Sequence, residues 1–206
     1  MARPRSPEKK EVIRKAAIRI IAEEGFHSCT TDKIAREAGV SVGTIYNYFS
    51  GKEDVLSYIF EIEEKKMDNY LSKFTKKKGI NVPEKIRILL NSYFKYVFNN
   101  EKLTKLILDE SNRPTTEVTE EIYSYLLTVR EHVKKLLTNG KEEGTVNAEI
   151  DLDIMANMII GSVNSIVFLG YIKPEKVNFI LKNGPDNIYK VLVDGVFTLQ
   201  KEGEKI

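Results

Sequence analysis

Apolar residues recur at three- and four-residue spacing along almost the whole chain, the period of helices that turn one face to a core. Ser6-Pro7-Glu8 reads as a helix start, with a hydroxyl N-cap, a proline at the first helical position and an acid in the first turn. Ile13, Ala17, Ile20 and Ile21 then line one face. Gly25 stops this helix and Phe26 turns the chain back onto it. A second, short helix is predicted from Thr30 or Thr31 to Gly39, with Ile34, Ala35 and Ala38 inward. Val40-Ser41 makes a turn, and Ser41 caps a third helix from roughly Val42 to Phe49. Ser50-Gly51 breaks it. Lys52-Glu53-Asp54 opens a long helix that runs to about Lys77, with Val55, Leu56, Ile59, Phe60 and Ile62 as its apolar positions.

The rest of the chain continues in the same period. Helices are expected at about 83–99 with Pro83 first, 101–110, 114–139 with Pro114 first and Gly140 ending it, 151–172 behind Asp151 as N-cap, and 185–202. The stretch 140–150, with Gly140, Gly144 and Asn147, reads as a loop. Lys76-Lys77-Lys78-Gly79 reads as a solvated helix end, its cations at the negative pole of the helix dipole. The expected fold is therefore all-α, with about nine helices: an N-terminal three-helix head containing a helix-turn-helix, and a larger helical body.

Composition narrows the picture only slightly. Of 206 residues, 42% are hydrophobic and 30% charged, enough for a real core with a soluble surface. Cys29 is the single cysteine, which excludes an intrachain disulfide or a cysteine metal cluster. Met-Ala-Arg-Pro-Arg at the N-terminus has no hydrophobic stretch behind it, so a cytoplasmic protein is expected. The net charge of +2 is uneven: residues 1–52 carry +4 and the remainder −2. Residues 154–172 contain no charged side chain and are long enough to span a bilayer. Asn157, Ser162, Asn164 and Ser165 interrupt them, and charged helices flank them, so a helix buried in the body and against a partner subunit is expected instead of a membrane span.

Function is concentrated in residues 31–49. Two short helices can pack around a tight turn if a small residue sits at their crossing, a glycine permits the turn and apolar residues lock the pair. Ala35, Gly39, and Ile34, Val40, Ile45 and Phe49 meet these needs. Val42, Gly43, Thr44, Asn47 and Tyr48 are left on the outer face. Gly43 allows the helix to approach a groove floor closely. Thr44, Tyr46 and Tyr48 offer hydroxyls to phosphates, and Asn47 can read a base edge. On these residues alone, a plain helical hairpin in a bundle stays open.

Residues 30–49, ending in Gly43-Thr44-Ile45-Tyr46-Asn47-Tyr48-Phe49 and followed by Lys52-Glu53-Asp54, resemble the DNA-binding head of the TetR family of bacterial repressors. The resemblance covers about residues 8–56. It implies that Thr31 and Lys33 touch DNA or phosphate at the start of the second helix. It implies the same for Val42, Gly43, Thr44, Tyr46, Asn47 and Tyr48 on the recognition helix, and a phosphate-binding lysine at Lys52. Arg3-Pro4-Arg5 lies outside the family pattern. The implied division is a DNA-binding domain at 1–52 and an effector-binding and dimerisation domain at 53–206.

For the body, the resemblance implies a homodimer built on the last two long helices. Gly161 and Ser165 are small residues one turn apart, and Gly195 is costly inside a helix unless backbones approach closely; Phe168 shares this interface. Asp109-Glu110-Ser111-Asn112 and the run Met158-Ile159-Ile160-Gly161-Ser162-Val163 resemble the subgroup that senses long-chain acyl-coenzyme A. The expected partners are double-stranded operator DNA, a small apolar effector and a second copy of the chain. Candidate pocket residues are Tyr93 and Tyr96 on an aromatic helix, Arg113 and Arg130 as cations for a phosphate-rich end, and Asn157 and Asn164, which share a helix face. Core packing for the aromatics, and dimer contacts for the asparagines, stay open. Neither His27 nor His132 has acid or histidine neighbours at ligand spacing, so both are expected at the surface and no metal site is expected. There is no nucleotide loop and no catalytic constellation, so neither an enzyme nor a cofactor is expected. The competing readings are a multidrug-type sensor, a helical enzyme and a DNA-binding protein that senses nothing.

Overall fold

The computed structural model describes residues 6–111 and 120–195. Among these there are nine α-helices and no strand: α1 (Pro7–Glu24), α2 (Thr31–Ala38), α3 (Val42–Tyr46), α4 (Lys52–Thr75), α5 (Val82–Asn99), α6 (Glu101–Ser111), α7 (Glu120–Glu142), α8 (Leu152–Ile172) and α9 (Val177–Gly195), with one 3-10 turn at Pro174–Lys176. Arg3, Arg5, Arg113, Pro114 and the expected helical residues 196–202 lie outside the described residues.

The chain forms two compact units. The first comprises residues up to Lys66 together with Asn100–Leu126, so it holds α1 to α3, most of α4, α6 and the start of α7. Its core is built from Ile13, Ala16, Ala17, Ile34, Ile45, Val55, Ile59, Phe60 and Leu106. A buried ion cluster crosses from α1 to α4. The Arg14 guanidinium takes both carboxylate oxygens of Glu11 at 2.8 Å and donates to Glu63 at 2.9 Å, and Lys66 adds a second cation to Glu63 at 2.8 Å. Removing the cation would leave the buried Glu63 carboxylate short of countercharge. On α6, Lys102 pairs with Glu23 and Lys105 donates to the Ala22 carbonyl, which fastens α6 to the end of α1.

The second unit comprises Met67–Asn99 and Leu127 onward. Buried Lys85 on α5 donates to the Thr75 carbonyl at 3.0 Å, satisfying the last turn of α4. His132 on α7 is mostly buried, with 13% of its side chain accessible, and its Nε2 stands 2.8 Å from Asp68 Oδ1 on α4. The expectation of a surface histidine is thus corrected: a neighbouring element brings it a carboxylate distant in sequence. His27 is exposed, as expected.

Two helix boundaries also differ from the expected ones. Gly140 lies inside α7, which runs on to Glu142. A Cβ there would stand 2.5 Å from Val146 and 3.1 Å from Val82, so this glycine serves close packing instead of termination. Helix α9 begins at Val177 and carries Pro185 in its interior instead of starting there. Proline removes one backbone hydrogen bond. However, buried Gly184 lets α9 come so close to α5 that a Cβ would meet Phe94 at 2.7 Å, and this packing holds the helix through the proline. Helix α7 is described from Glu120.

Helix α8 starts as predicted, the Asp151 carboxylate accepting from the Ile154 amide at 2.9 Å. It is long and apolar enough, by length and composition, to cross a membrane, yet only part of it is covered within the chain. Ile154, Met158, Phe168, Leu169 and Ile172 are exposed along it, as are Phe179 and Val191 on α9. The exposed positions 154, 158, 161, 165, 168 and 172 follow the helical repeat, so they form one outward stripe.

Candidate nucleic-acid interface and effector site

The short helices at the head are shaped by local chemistry. Thr30 caps α2 by accepting from the Lys33 amide at 3.3 Å. Gly39, in the left-handed region at φ 65°, ends α2 and returns its amide to the last turn. Ser41 caps α3, accepting from the Thr44 amide at 3.1 Å, and its hydroxyl lies 2.8 Å from that of Thr44. Ile34, Ala35, Ile45 and Phe49 are buried between the helices. The regular turns of α3 end at Tyr46, short of the expected Phe49. The amides of Tyr48 and Phe49 both converge on the Ile45 carbonyl at 2.9 Å, which tightens the last turn.

The outward face carries Gly43, Tyr46 and Asn47 as exposed residues, with Val42, Thr44, Tyr48 and Thr31 half-buried beside them. Tyr46 is 57% exposed, and its hydroxyl lies 3.4 Å from that of Thr31. This joins the first residue of α2 to the last of α3. A Cβ on Gly43 would meet only the Ser41 hydroxyl, at 3.9 Å. No described residue therefore requires glycine here.

Three candidate contacts already have partners within the chain. Lys52 Nζ donates to the carbonyls of Phe26 at 3.0 Å and His27 at 3.1 Å. Lys33 Nζ pairs with Glu24 and donates to the Ser28 carbonyl at 3.0 Å. The Tyr48 hydroxyl accepts from the Ser6 amide at 2.8 Å. Ser6 thus sits at the N-cap of α1 but makes no side-chain cap, contrary to the expected hydroxyl cap. This tie between α1 and the recognition segment spans 42 residues and left no local signal in the sequence. Cys29 is fully buried, and burial pushes its thiol pKa up.

In the second unit, Arg130 and Lys134 on α7 converge on Asp153 in the first turn of α8. Arg130 Nη2 lies 2.5 Å from Oδ1, and Lys134 Nζ lies 2.9 Å from both oxygens. Their bonds hold Asp153 below its ordinary carboxylate range, Lys134 contributing most. The buried Nε of Arg130 has no hydrogen-bond partner among the described residues. Asn157 is exposed and donates to the Asp153 carbonyl of its own helix at 2.8 Å, on the outward face, whereas Asn164 is half-buried. The structure thus separates these two asparagines by environment. On α5, Tyr96 is exposed while Tyr93 retains only part of its surface, and burial pushes the Tyr93 hydroxyl up to about 12. Among the described residues, no group of three or more His, Cys, Asp or Glu side chains is placed to hold a metal ion.

Residues 13–59 match the family of bacterial regulatory proteins of the tetR type, and residues 63–195 match the C-terminal region of YsiA-like proteins. The chain belongs to the TetR family of transcriptional regulators. A fatty acid metabolism regulator protein of Bacillus subtilis (strain 168) is 28% identical over 186 residues, covering 88% of this chain and 92% of that protein. The fatty acid degradation regulator FadR from Bacillus halodurans superposes with a TM-score of 0.82 at 31% identity, covering 94% of this chain and 98% of that one. FadR from Bacillus subtilis, solved in complex with stearoyl-CoA, superposes with a TM-score of 0.80 at 26% identity over 90% of this chain and 98% of that one. The all-helical, helix-turn-helix regulator expected from residues 30–54 is therefore the fold and the family of this chain.

Proposed function

We propose that this TetR-family regulator is a homodimeric repressor that leaves its operator when it binds a long-chain acyl-coenzyme A. The likeness to a FadR solved with stearoyl-CoA, over nine-tenths of the chain, is the observation that carries the effector class. On this reading the functional division runs at about residue 52, with 1–52 reading DNA and 53–206 binding effector and partner.

Thr31, Val42, Gly43, Thr44, Tyr46, Asn47 and Tyr48 form the DNA-facing surface, with Lys33 and Lys52 supplying charge at its edges. Asn47 reads a base edge, and the hydroxyls position the head on phosphates. The outward stripe of α8 and α9, including Gly161, Ser165 and Phe168 and continuing toward Gly195, is covered by the second subunit. That accounts for an apolar helix without a membrane. Two recognition helices related by a twofold axis demand a near-palindromic operator, with half-sites about one DNA turn apart or somewhat more. The acyl chain occupies apolar space beside α5, walled by Tyr93, while Arg130 is the described cation for the phosphate-rich end; Arg113 is its counterpart outside the described residues. A regulator of this kind works in the cytoplasm and requires no catalytic group or cofactor.

Effector binding lowers DNA affinity by the ratio of effector affinities in the free and DNA-bound forms, because the coupling is reciprocal. Titrating the protein–operator complex with acyl-coenzyme A esters of increasing chain length tests this. Release should strengthen with length, each buried methylene contributing about 0.8 kcal/mol. Release by a cationic aromatic drug, with none by any acyl-coenzyme A, would assign the protein to the multidrug-type sensors instead.

A further inference from the structure

Helix α3 is too short to hold its own position. It has five residues, far below the roughly 12–15 at which an isolated helix becomes even marginally stable in water. Its seat is therefore set by what grips its two ends. The Ser41 cap does so at the N-terminal end. At the other end the amides of Tyr48 and Phe49 share one acceptor, the Ile45 carbonyl, so local hydrogen bonding gives that end little support.

Helix α1 supplies two ties to that end. Ser6 and Lys10 are four residues apart, so they share one face at the start of the helix. The Ser6 amide donates to the Tyr48 hydroxyl at 2.8 Å. One turn on, the Lys10 ammonium stands 5.2 Å from the centre of the Phe49 ring and 4.4 Å from that of Tyr58 on α4. The two rings are 5.4 Å apart and tilted by 53°. Both ammonium distances lie within the reach of a cation–π attraction, about 6 Å. One charge thus joins α1, the residue that closes the recognition segment, and the second turn of α4. Phe49 is buried, and Lys10 and Tyr58 are half-buried, so the ammonium is partly withdrawn from water, which strengthens its attraction to the rings.

Phe49 follows directly on Asn47 and Tyr48, so a shift of its ring carries them with it. A segment that is free to shift must be ordered at the moment of binding, and that cost lowers affinity for a site that demands one seat. Binding to unrelated DNA depends on phosphate charge instead and tolerates several seats. We propose that Lys10 is a positioning residue for operator recognition: its ammonium, held on Phe49 and Tyr58, keeps the end of the recognition segment in the geometry that reads sequence. The inference rests on the DNA-facing surface proposed above and adds a residue that acts on that surface from α1.

Lys10→Met keeps an unbranched stem and removes the charge. Fluorescence anisotropy compares two duplexes, a site selected from random DNA by the native chain and a scrambled version of it. Lys10→Met should bind the selected site about three- to tenfold more weakly, the strength of one cation–π attraction at a partly buried position. It should bind the scrambled duplex as the native chain does, with the same salt slope, which also shows that the variant is folded. Lys10→Arg, which keeps a cation able to lie on the rings, should restore the native ratio of the two affinities. Tyr58→Leu should lower that ratio too, and adding Lys10→Met to it should lower it little further. An unchanged ratio in Lys10→Met overturns the assignment, as do fully additive losses in the double variant. Equal weakening on both duplexes, with a salt slope smaller by about one, would make Lys10 a phosphate contact instead. Selection of no site by the native chain would overturn the underlying reading of the DNA-facing surface.

Discussion

Lys52 Nζ donates to the Phe26 carbonyl at 3.0 Å and stands 4.7 Å from the centre of the Phe26 ring. One ammonium at the start of α4 thus holds the exit of α1 and keeps one N–H for a further acceptor. Lys33 differs, because Glu24 already balances its charge. Lys52→Ala is therefore expected to weaken binding to all DNA sequences alike and to lower the salt slope of binding by roughly one unit. Lys33→Ala should change the slope by less than half as much. Fluorescence anisotropy across a salt series gives both values, and equal slopes for Lys52→Ala and the native chain would remove Lys52 from the phosphate contacts.

Gly43 separates folding from binding. Its helix has room for a methyl group, and alanine is the better helix former by about 1 kcal/mol. Gly43→Ala should unfold at the same temperature as the native chain or slightly higher, yet lose operator affinity because the backbone can no longer approach the groove floor. A variant that is both stable and fully active would show that no close approach occurs here.

Asn47 is exposed just past α3. Replacing it with alanine should relax discrimination at one or two operator positions by about 1–3 kcal/mol if its amide bonds a base edge directly. Selecting binding sites from random DNA with both proteins reads this out, and identical preferred sites would exclude a reading role.

Gly161 lies on the outward stripe of α8, and a Cβ there meets nothing within 4 Å in the single chain. Gly161→Leu should accordingly fold, but sediment with a larger monomer fraction than the native protein at micromolar concentration. A native chain that is itself monomeric at that concentration would move the interface elsewhere or remove it.

Tyr93 also sets an alkaline signature. Its pKa is about 12 in the folded chain against an ordinary value of 10.0, because burial disfavours the phenolate. Between those values the folded state binds more protons at this site than the unfolded state, so stability falls as pH rises. The contribution is intact below about pH 10 and declines from there toward 12. Urea unfolding at pH 9, 10 and 11 should show a steeper decline for the native chain than for Tyr93→Phe; parallel declines would mean that the phenol is ordinarily solvated.

The DNA-reading head was legible in the linear chain because its signals are local. Thr30 and Ser41 cap within three residues, Gly39 supplies the left-handed turn, and Ile34, Ala35, Ile45 and Phe49 lock helices fewer than twenty residues apart. Asp151 announced α8 for the same reason. Tertiary structure decided the rest. Gly140 reads as a helix end until Val146 and Val82 occupy the space where its side chain would be, and Gly184 gives up its side-chain space to Phe94. Pro185 reads as a helix start until that packing carries α9 through it. His132 gains Asp68 across 64 residues, and Tyr48 gains Ser6 across 42. Helical period shows which residues are apolar, but α5 bears aromatics at 93, 94, 96 and 98. Only the packing of α9 and α8 against it buries Phe94, sets Phe98 on Tyr171 and leaves Tyr93 half-buried. Caps and turns are decided by neighbours in the chain, whereas a cavity wall or an ion pair depends on which distant backbone comes near.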